Sequence, residues 1–280
     1  LSNGVCSLQE DVDRYTKSVF VTFDDDGNVL DQRVAATKIR SRKRLTYLEA
    51  QAIIDGDLDE ARRHALTQLS DTDELTERLR KSRVLADKLE KRRWRDGMIV
   101  LALPDVELEF DDEGHVIDAH PEDDAYTHKI IEMFMVEANE AVARLFSGLN
   151  IPVLRRIHPE PTFGDMQELQ MFAKAVGLGI PDEPTRQDLQ DLLEATRDTP
   201  AVRAIHFAAL RTLTKASYSP AMIGHYALAS DHYAHFTSPI RRYPDLSVHR
   251  ALTAYLELTD NGRKVPGGKK RDRLTRQMRD

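Results

Sequence analysis

The chain has 280 residues, 41% hydrophobic and 31% charged, the proportions of an ordinary globular protein that can build one large domain or two smaller ones. No run of 18 or more apolar residues argues for a membrane span, and a single cysteine, Cys6, excludes an internal disulfide and fits a reducing cytoplasmic compartment. The net charge of −7 is unevenly spread: residues 241–280 carry 11 Lys/Arg against 5 Asp/Glu, and the rest 29 against 42, so a basic segment on an acidic body suits either a nucleic-acid partner or a solvated tail.

The opening LSNGVCSL lacks a methionine and a basic n-region, so it predicts no signal peptide and a segment of a longer polypeptide. SVFVTF, an acidic DDDG turn and NVLDQRVAATKI predict a β-hairpin over 17–41. FDDDGNVLD (23–31) returns almost position for position as FDDEGHVID (110–118) and predicts a second turn of the same kind. Neither stretch has the carboxylate spacing of a calcium loop. Between them lies helix, with Asp71 and Glu74 as a capping pair and Leu75, Leu79, Ala86 and Leu89 at helical spacing. The RLRKSR and KLEKRR runs read as its solvated face.

A stronger helix is predicted over 123–146, its apolar stripe including Ile130, Ile131, Phe134, Met135, Ala138 and Leu145. Residues 164–177, 185–196 and 200–214 also predict helices, punctuated by Pro181, Pro184 and Pro200. The stretch 259–270 reads as a flexible basic loop before a last helix. Strands interleaved with helices give an α+β fold, with no repeat and no internal domain boundary.

HFTSPIRRYPDLSVHR (235–250) places two arginines between two prolines. A rigid turn over 237–243 is expected, with a helix opening at Pro244-Asp245, where proline's missing N–H does no harm, and running through Leu252 and Tyr255. Arg241 and Arg242 then stand before a helix N-terminus, a place that favours anions, and guanidinium offers planar contacts to phosphate. An arginine paired with a core carboxylate is the competing reading. Glu132, between Ile131 and Met133 with His128 and Asn139 on its flank, needs a partner, either a ligand or an arginine. His225, His232, His235 and His249 surround the arginines without an acidic ligand at fixed spacing. They read as partners of the loop backbone or of a ligand rather than of a metal. Cys6 reads as a packing residue.

HYAHFTSPIRRYPDLSVHR (232–250) resembles the signature of the ribonuclease II and ribonuclease R family, the RNB-domain hydrolytic 3′→5′ exoribonucleases. LSNGVCSLQEDVDR (1–14), KIRSRKRLTYLEAQAII (38–54), HKIIEMFMVEANEAVA (128–143) and RRIHPEP (155–161) resemble further segments of that family, in family order. HYALASDHYAHFTSPIRRYPDL is most similar to the bacterial ribonuclease R branch.

The resemblance implies the RNB catalytic-domain fold, a mixed sheet with hairpins surrounded by helices. Residues 1–280 would be its C-terminal two-thirds or so, without a second domain. It implies Mg²⁺ held by an aspartate cluster upstream of the LSNG segment; this sequence contains no such spacing, so no metal ligands are assigned and the piece alone is expected to be inactive. Implied partners are single-stranded RNA and flanking OB-fold domains, in a monomeric protein with no membrane. Arg241 matches the family's catalytic arginine. Tyr47 matches a tyrosine of the RNA channel, and Glu132 a glutamate that chooses RNA over DNA, for which a 2′-hydroxyl contact is the chemical basis. Arg242 and Tyr243, in the same signature, are assigned to RNA binding. Met133 replaces a second glutamate, and Leu101 falls where the family clamps the last bases with an aromatic ring, so that clamp is weakened. Together these imply part of a processive exoribonuclease releasing nucleoside 5′-monophosphates; a non-catalytic RNA-binding module is the alternative, and a histidine-metal phosphohydrolase a weaker third.

Overall fold

The computed structural model describes residues 2–68, 72–103, 106–121, 123, 125–264 and 268–277. Strands β1 (Asp13–Phe23) and β2 (Val29–Arg40) form the expected antiparallel hairpin, in register from Asp13 opposite Arg40 to Thr22 opposite Asp31. Its turn is built by Asp24, whose Oδ1 accepts the amides of Asp26 and Asn28 at 2.9 and 2.8 Å. Gly27 takes a φ of 81°, and a Cβ there would stand 3.2 Å from the Lys88 carbonyl, so conformation and contact both demand glycine. Strands β3 (Val106–Phe110) and β4 (Val116–Pro121) repeat the design, with Asp111 accepting the amides of Glu113 and His115. A third ladder, β5 (Arg155–Ile157) with β6 (Ser217–Ser219), is too short to announce itself by alternation.

The α+β class stands, but the strands form three separate two-stranded ladders among the described residues, where a mixed sheet was expected. Parallel pairing is confined to single bridges such as Glu10–Ser41 and His158–His225. Helices do the covering: Val19 and Val34 of the first hairpin pack against Val142 and Phe146 of the long helix described next.

Helices α1 (Tyr47–Asp55), α2 (Leu58–His64), α3 (Thr72–Arg95) and α4 (Tyr126–Gly148) follow the first hairpin, with the second hairpin between α3 and α4. Helix α1 starts at a reciprocal capping box of Thr46 and Glu49 and stops at Gly56. The expected cap Asp71 lies outside the described residues. Helices α5 (Phe163–Ala175), α6 (Arg186–Thr196) and α7 (Val202–Thr212) match the expected positions within two residues, and capping boxes at Thr162 and Thr185 start the first two. They enclose a core that includes Leu169, Leu189, Leu193 and Ile205. Helix α8 (Tyr243–Leu258) joins α4 in the main core, where Phe146, Val248 and Leu252 meet Phe236. No helix among the described residues is long and apolar enough to cross a membrane.

Four expectations are corrected. Arg92 and Arg93, read as part of a solvated face, are only 8% and 3% exposed. They point from α3 into α4 and both donate to Glu137 Oε1; Arg93 Nη1 also donates to Glu140 Oε1 at 3.0 Å. Burial alone would raise the Glu140 carboxyl, but the Arg93 hydrogen bond and charge outweigh it and hold the carboxyl below its ordinary value. Ile131 and Met135, assigned to the apolar stripe of α4, face outward, because the buried stripe runs through Ile130, Met133 and Val136. The stretch after α8 is not loose where it is described. Asn261 accepts the Ala36 amide and donates to its carbonyl, at 2.7 and 3.1 Å, extending the edge of β2, and helix α9 (Gly268–Gln277) follows. Cys6 is exposed rather than packed.

Candidate nucleic-acid interface

The arginine loop is organised around Ser238. Its carbonyl accepts the amides of Arg241 and Arg242 at 3.3 and 3.1 Å, and its own amide donates to Asp245 Oδ1 at 2.8 Å. Helix α8 opens at Tyr243, one residue earlier than expected, with Arg242 as N-cap and Pro244 in the first turn, where no amide is needed. Asp245 is fully buried beneath the loop and receives Arg242 Nη2 at 2.7 Å on the same oxygen.

The two adjacent arginines therefore differ. Arg242 takes the role of an arginine paired with a core carboxylate. Arg241 is exposed and has no side-chain hydrogen bond or ion pair among the described residues. Tyr243 is 70% exposed, and its ring stands free beside the two arginines. One guanidinium is engaged in fixing the loop and the next is displayed to solvent beside a helix N-terminus.

Helix α4 carries the second group. Tyr47, the first residue of α1, lays its ring on that of His128, centroids 3.7 Å apart and 24° from parallel. Thr127 Oγ1 donates to the Tyr47 carbonyl at 2.8 Å and fixes the helix start against α4, while Asp123 accepts from or pairs with His128 Nε2 at 2.9 Å. Glu132 follows one turn later. The partner it was expected to need is, within the chain, a lysine rather than an arginine: its side chain is 46% exposed and pairs with Lys129 at 2.9 Å. The buried carboxylates of this helix are Glu137 and Glu140. Two turns on, on the same face and about 10 Å along the axis, Asn139 accepts the Phe236 amide at 2.9 Å and donates to the Tyr233 hydroxyl at 3.1 Å. One face of α4 thus ties the Tyr47–Glu132 group to the segment that leads into the arginine loop.

Of the four histidines around the loop, His232, His235 and His249 are hydrogen-bonded within the fold, whereas His225 Nδ1 is buried without a hydrogen-bond partner among the described residues. His249 Nε2 donates to the Phe236 carbonyl at 2.8 Å with its ring stacked on Phe236, and His232 Nδ1 meets Ser147 Oγ at 3.2 Å. His158 donates to the Thr214 carbonyl and accepts the Ala227 amide. His235 Nδ1 is hydrogen-bonded to the Tyr218 hydroxyl at 2.7 Å. Burial, and then the charges of Arg242, Arg156 and Arg241, push His235 down to about 4; burial and His158 do the same to His225. Leu101 packs against the α5–α7 core. Sequence reasoning passed over Arg156 and Tyr218, which β5 and β6 bring beside His235, because neither lies in a run with a readable period.

Three comparisons with known proteins bear on this geometry. The RNB domain family model matches residues 1–258. Ribonuclease R of Aquifex aeolicus is 37% identical over 254 residues, covering 90% of this chain and 35% of that protein. Ribonuclease R of Escherichia coli is 34% identical over 266 residues, covering 94% and 31%. The apo form of Mycoplasma genitalium RNase R superimposes with a TM-score of 0.83 at 28% identity, covering 99% of this chain and 42% of that one. The same protein in complex with ribose-methylated single-stranded RNA also gives 0.83. The chain spans about a third of the length of the curated relatives it matches.

Proposed function

This chain belongs to the RNB domain family, and we propose that it is the strand-holding part of a hydrolytic, processive 3′→5′ exoribonuclease that degrades single-stranded RNA to nucleoside 5′-monophosphates. The observation that carries the reading is Arg241, exposed and without a side-chain partner among the described residues, on a loop pinned from below by Asp245. Its guanidinium fork meets the non-bridging oxygens of the scissile phosphodiester and stabilises the charge that gathers there. Arg242 keeps that fork in place through Asp245 and adds positive potential along the backbone. The Tyr47–His128 stack offers a flat ledge to the terminal nucleoside, Glu132 accepts a hydrogen bond from a 2′-hydroxyl, and Tyr243 presents a free ring to a base.

Hydrolysis in this family calls for a divalent metal, for which we assign Mg²⁺, and the described residues of this chain do not fit one. No group of three or more His, Cys, Asp or Glu side chains among the described residues could hold it. We assign its ligands, the flanking OB-fold modules and a monomeric, cytoplasmic state to the intact enzyme. Residues 1–280 act as one partial RNB unit within that enzyme.

The test is single-turnover cleavage of an end-labelled oligoribonucleotide by the intact enzyme. Arg241→Lys keeps the charge but loses the fork, so the rate falls on the order of 100-fold while RNA affinity, spread over many phosphates, changes little. Cleavage by Arg241→Lys at the unaltered rate overturns the assignment. An intact protein that binds RNA but never cleaves it in Mg²⁺ is the non-catalytic module instead.

A further inference from the structure

Arg156 is held more firmly than a surface arginine needs to be. Its flanking residues Arg155 and Ile157 are buried, so the alternation of β5 turns Arg156 to the opposite side. Its amide donates to the Tyr233 carbonyl at 3.1 Å, and it sits directly opposite Tyr218 in the ladder. The guanidinium lies 4.9 Å over the Tyr218 ring. The Tyr218 hydroxyl is in turn hydrogen-bonded to His235 Nδ1, six residues before Arg241 on the segment that becomes the arginine loop.

The charges in this place do not balance. Arg156, Arg241 and Arg242 all lie close enough to His235 to act on it electrostatically. Asp245 compensates Arg242 alone. Neither Arg156 nor Arg241 has an ion pair or a side-chain hydrogen bond among the described residues, and Arg156 is half-buried. Two uncompensated guanidinium groups near one another repel, and a half-buried cation without an anion is costly. An anionic ligand that supplies a charge to each relieves both penalties. Stacking on Tyr218 occupies one face of the Arg156 fork and leaves its N–H edge free for bidentate contact with phosphate. His235 is neutral at ordinary pH and adds no charge of its own.

We propose that Arg156, carried on the Tyr218 ring and tethered through His235 to the arginine loop, binds a second phosphodiester of the strand whose scissile phosphate faces Arg241. The inference rests on the reading of the loop as an RNA site. Arg156 is a binding residue; Tyr218 and His235 are positioning residues that act through it.

Binding of a labelled oligouridylate by this chain, measured across a range of salt, tests it. Arg156→Gln weakens binding roughly tenfold, the effect of one charge-assisted contact, and lowers the slope of log K against log salt by about 0.7, one phosphate's worth on a single strand. Arg241→Gln does the same, and the double variant shows both losses. Tyr218→Leu keeps the charge and therefore the slope, yet loses several-fold in affinity because the fork is no longer oriented. Melting temperatures taken alongside expose any variant that merely misfolds, and Arg156→Lys, which recovers the slope with an unaltered melt, separates binding from packing. If Arg241→Gln weakens binding while Arg156→Gln changes neither affinity nor slope, this inference is wrong and the RNA reading survives. If the parent chain shows no salt-dependent RNA binding, the RNA reading falls and takes this one with it.

Discussion

Replacing Asp245 by alanine tests whether the arginine loop is held from beneath. Asp245 is 0% exposed, and one of its oxygens accepts both the Ser238 amide at 2.8 Å and Arg242 Nη2 at 2.7 Å. Alanine leaves that amide without an acceptor, a cost of about 1–3 kcal/mol. Breaking a buried ion pair from one side costs about 3–5 kcal/mol. The Arg242 side chain is 23% exposed and can turn towards water, so the lower ends apply and we expect a total loss of about 4 kcal/mol. Asp245→Asn keeps an oxygen for Ser238 and loses only the charge, and should cost about half as much. Urea unfolding of the three proteins, compared at equal m, gives both numbers. Because the Ser238 carbonyl also collects the amides of Arg241 and Arg242, freeing its N–H loosens the turn that displays Arg241. Cleavage by the intact enzyme should therefore drop further in Asp245→Ala than in Asp245→Asn. An alanine variant within about 0.5 kcal/mol of the parent, the range of an ordinary surface substitution, refutes the pinned-loop account.

Glu132→Ala in the intact enzyme should narrow the preference for RNA over DNA more than it weakens binding overall, because a 2′-hydroxyl acceptor is lost while the phosphate contacts remain; unchanged relative affinities for matched RNA and DNA oligomers count against it. Glu137→Ala should cost about 3 kcal/mol in a denaturant melt, since Arg92 and Arg93 both lose a buried carboxylate, Arg93 keeping Glu140 and Arg92 keeping only the Gly27 carbonyl and the more exposed Asp96; a loss below about 1 kcal/mol would show that water replaces the carboxylate. The pH dependence has a definite sign: His225 and His235 are held neutral down to about 4 in the fold but take up protons near 6.5 when unfolded, so stability is full above about pH 7 and falls as pH drops from 6.5 towards 4. The slope is at most about 1.4 kcal/mol per pH unit for each histidine, and comparison with His235→Gln removes the carboxylate contribution, so identical slopes for parent and variant between pH 4 and 6.5 would falsify the burial of a neutral His235.

How much of this was legible in the sequence depended on whether a residue's role is local. The hairpin turns were legible because Asp24 and Asp111 each bond amides two and four residues on, an interaction written entirely within FDDDGN and FDDEGH. The helices were legible through their period and their caps. Partners far along the chain were not. Nothing in KLEKRRWR says that Arg92 and Arg93 will meet Glu137 and Glu140 more than 40 residues later, and a run of charge is ordinarily solvated. Ile131 and Met135 are apolar and at helical spacing, yet the stripe of α4 is wide enough that composition could not fix its edge.

The difference between Arg241 and Arg242 is the instructive case. Both have the same side chain, the same neighbours and the same prolines around them, and composition treats them as one basic pair. What separates them is Asp245, three residues after Arg242 and in the first turn of a helix, where i and i+3 side chains stand on one face. The spacing in RRYPD does not choose between them, since Asp245 also stands four residues after Arg241; the turn around Ser238 does, giving the second arginine to the carboxylate and leaving the first to solvent. The same logic picks out Arg156, whose lack of a carboxylate only the fold reveals: in a site built for an anion, the informative cations are those the protein has left uncompensated.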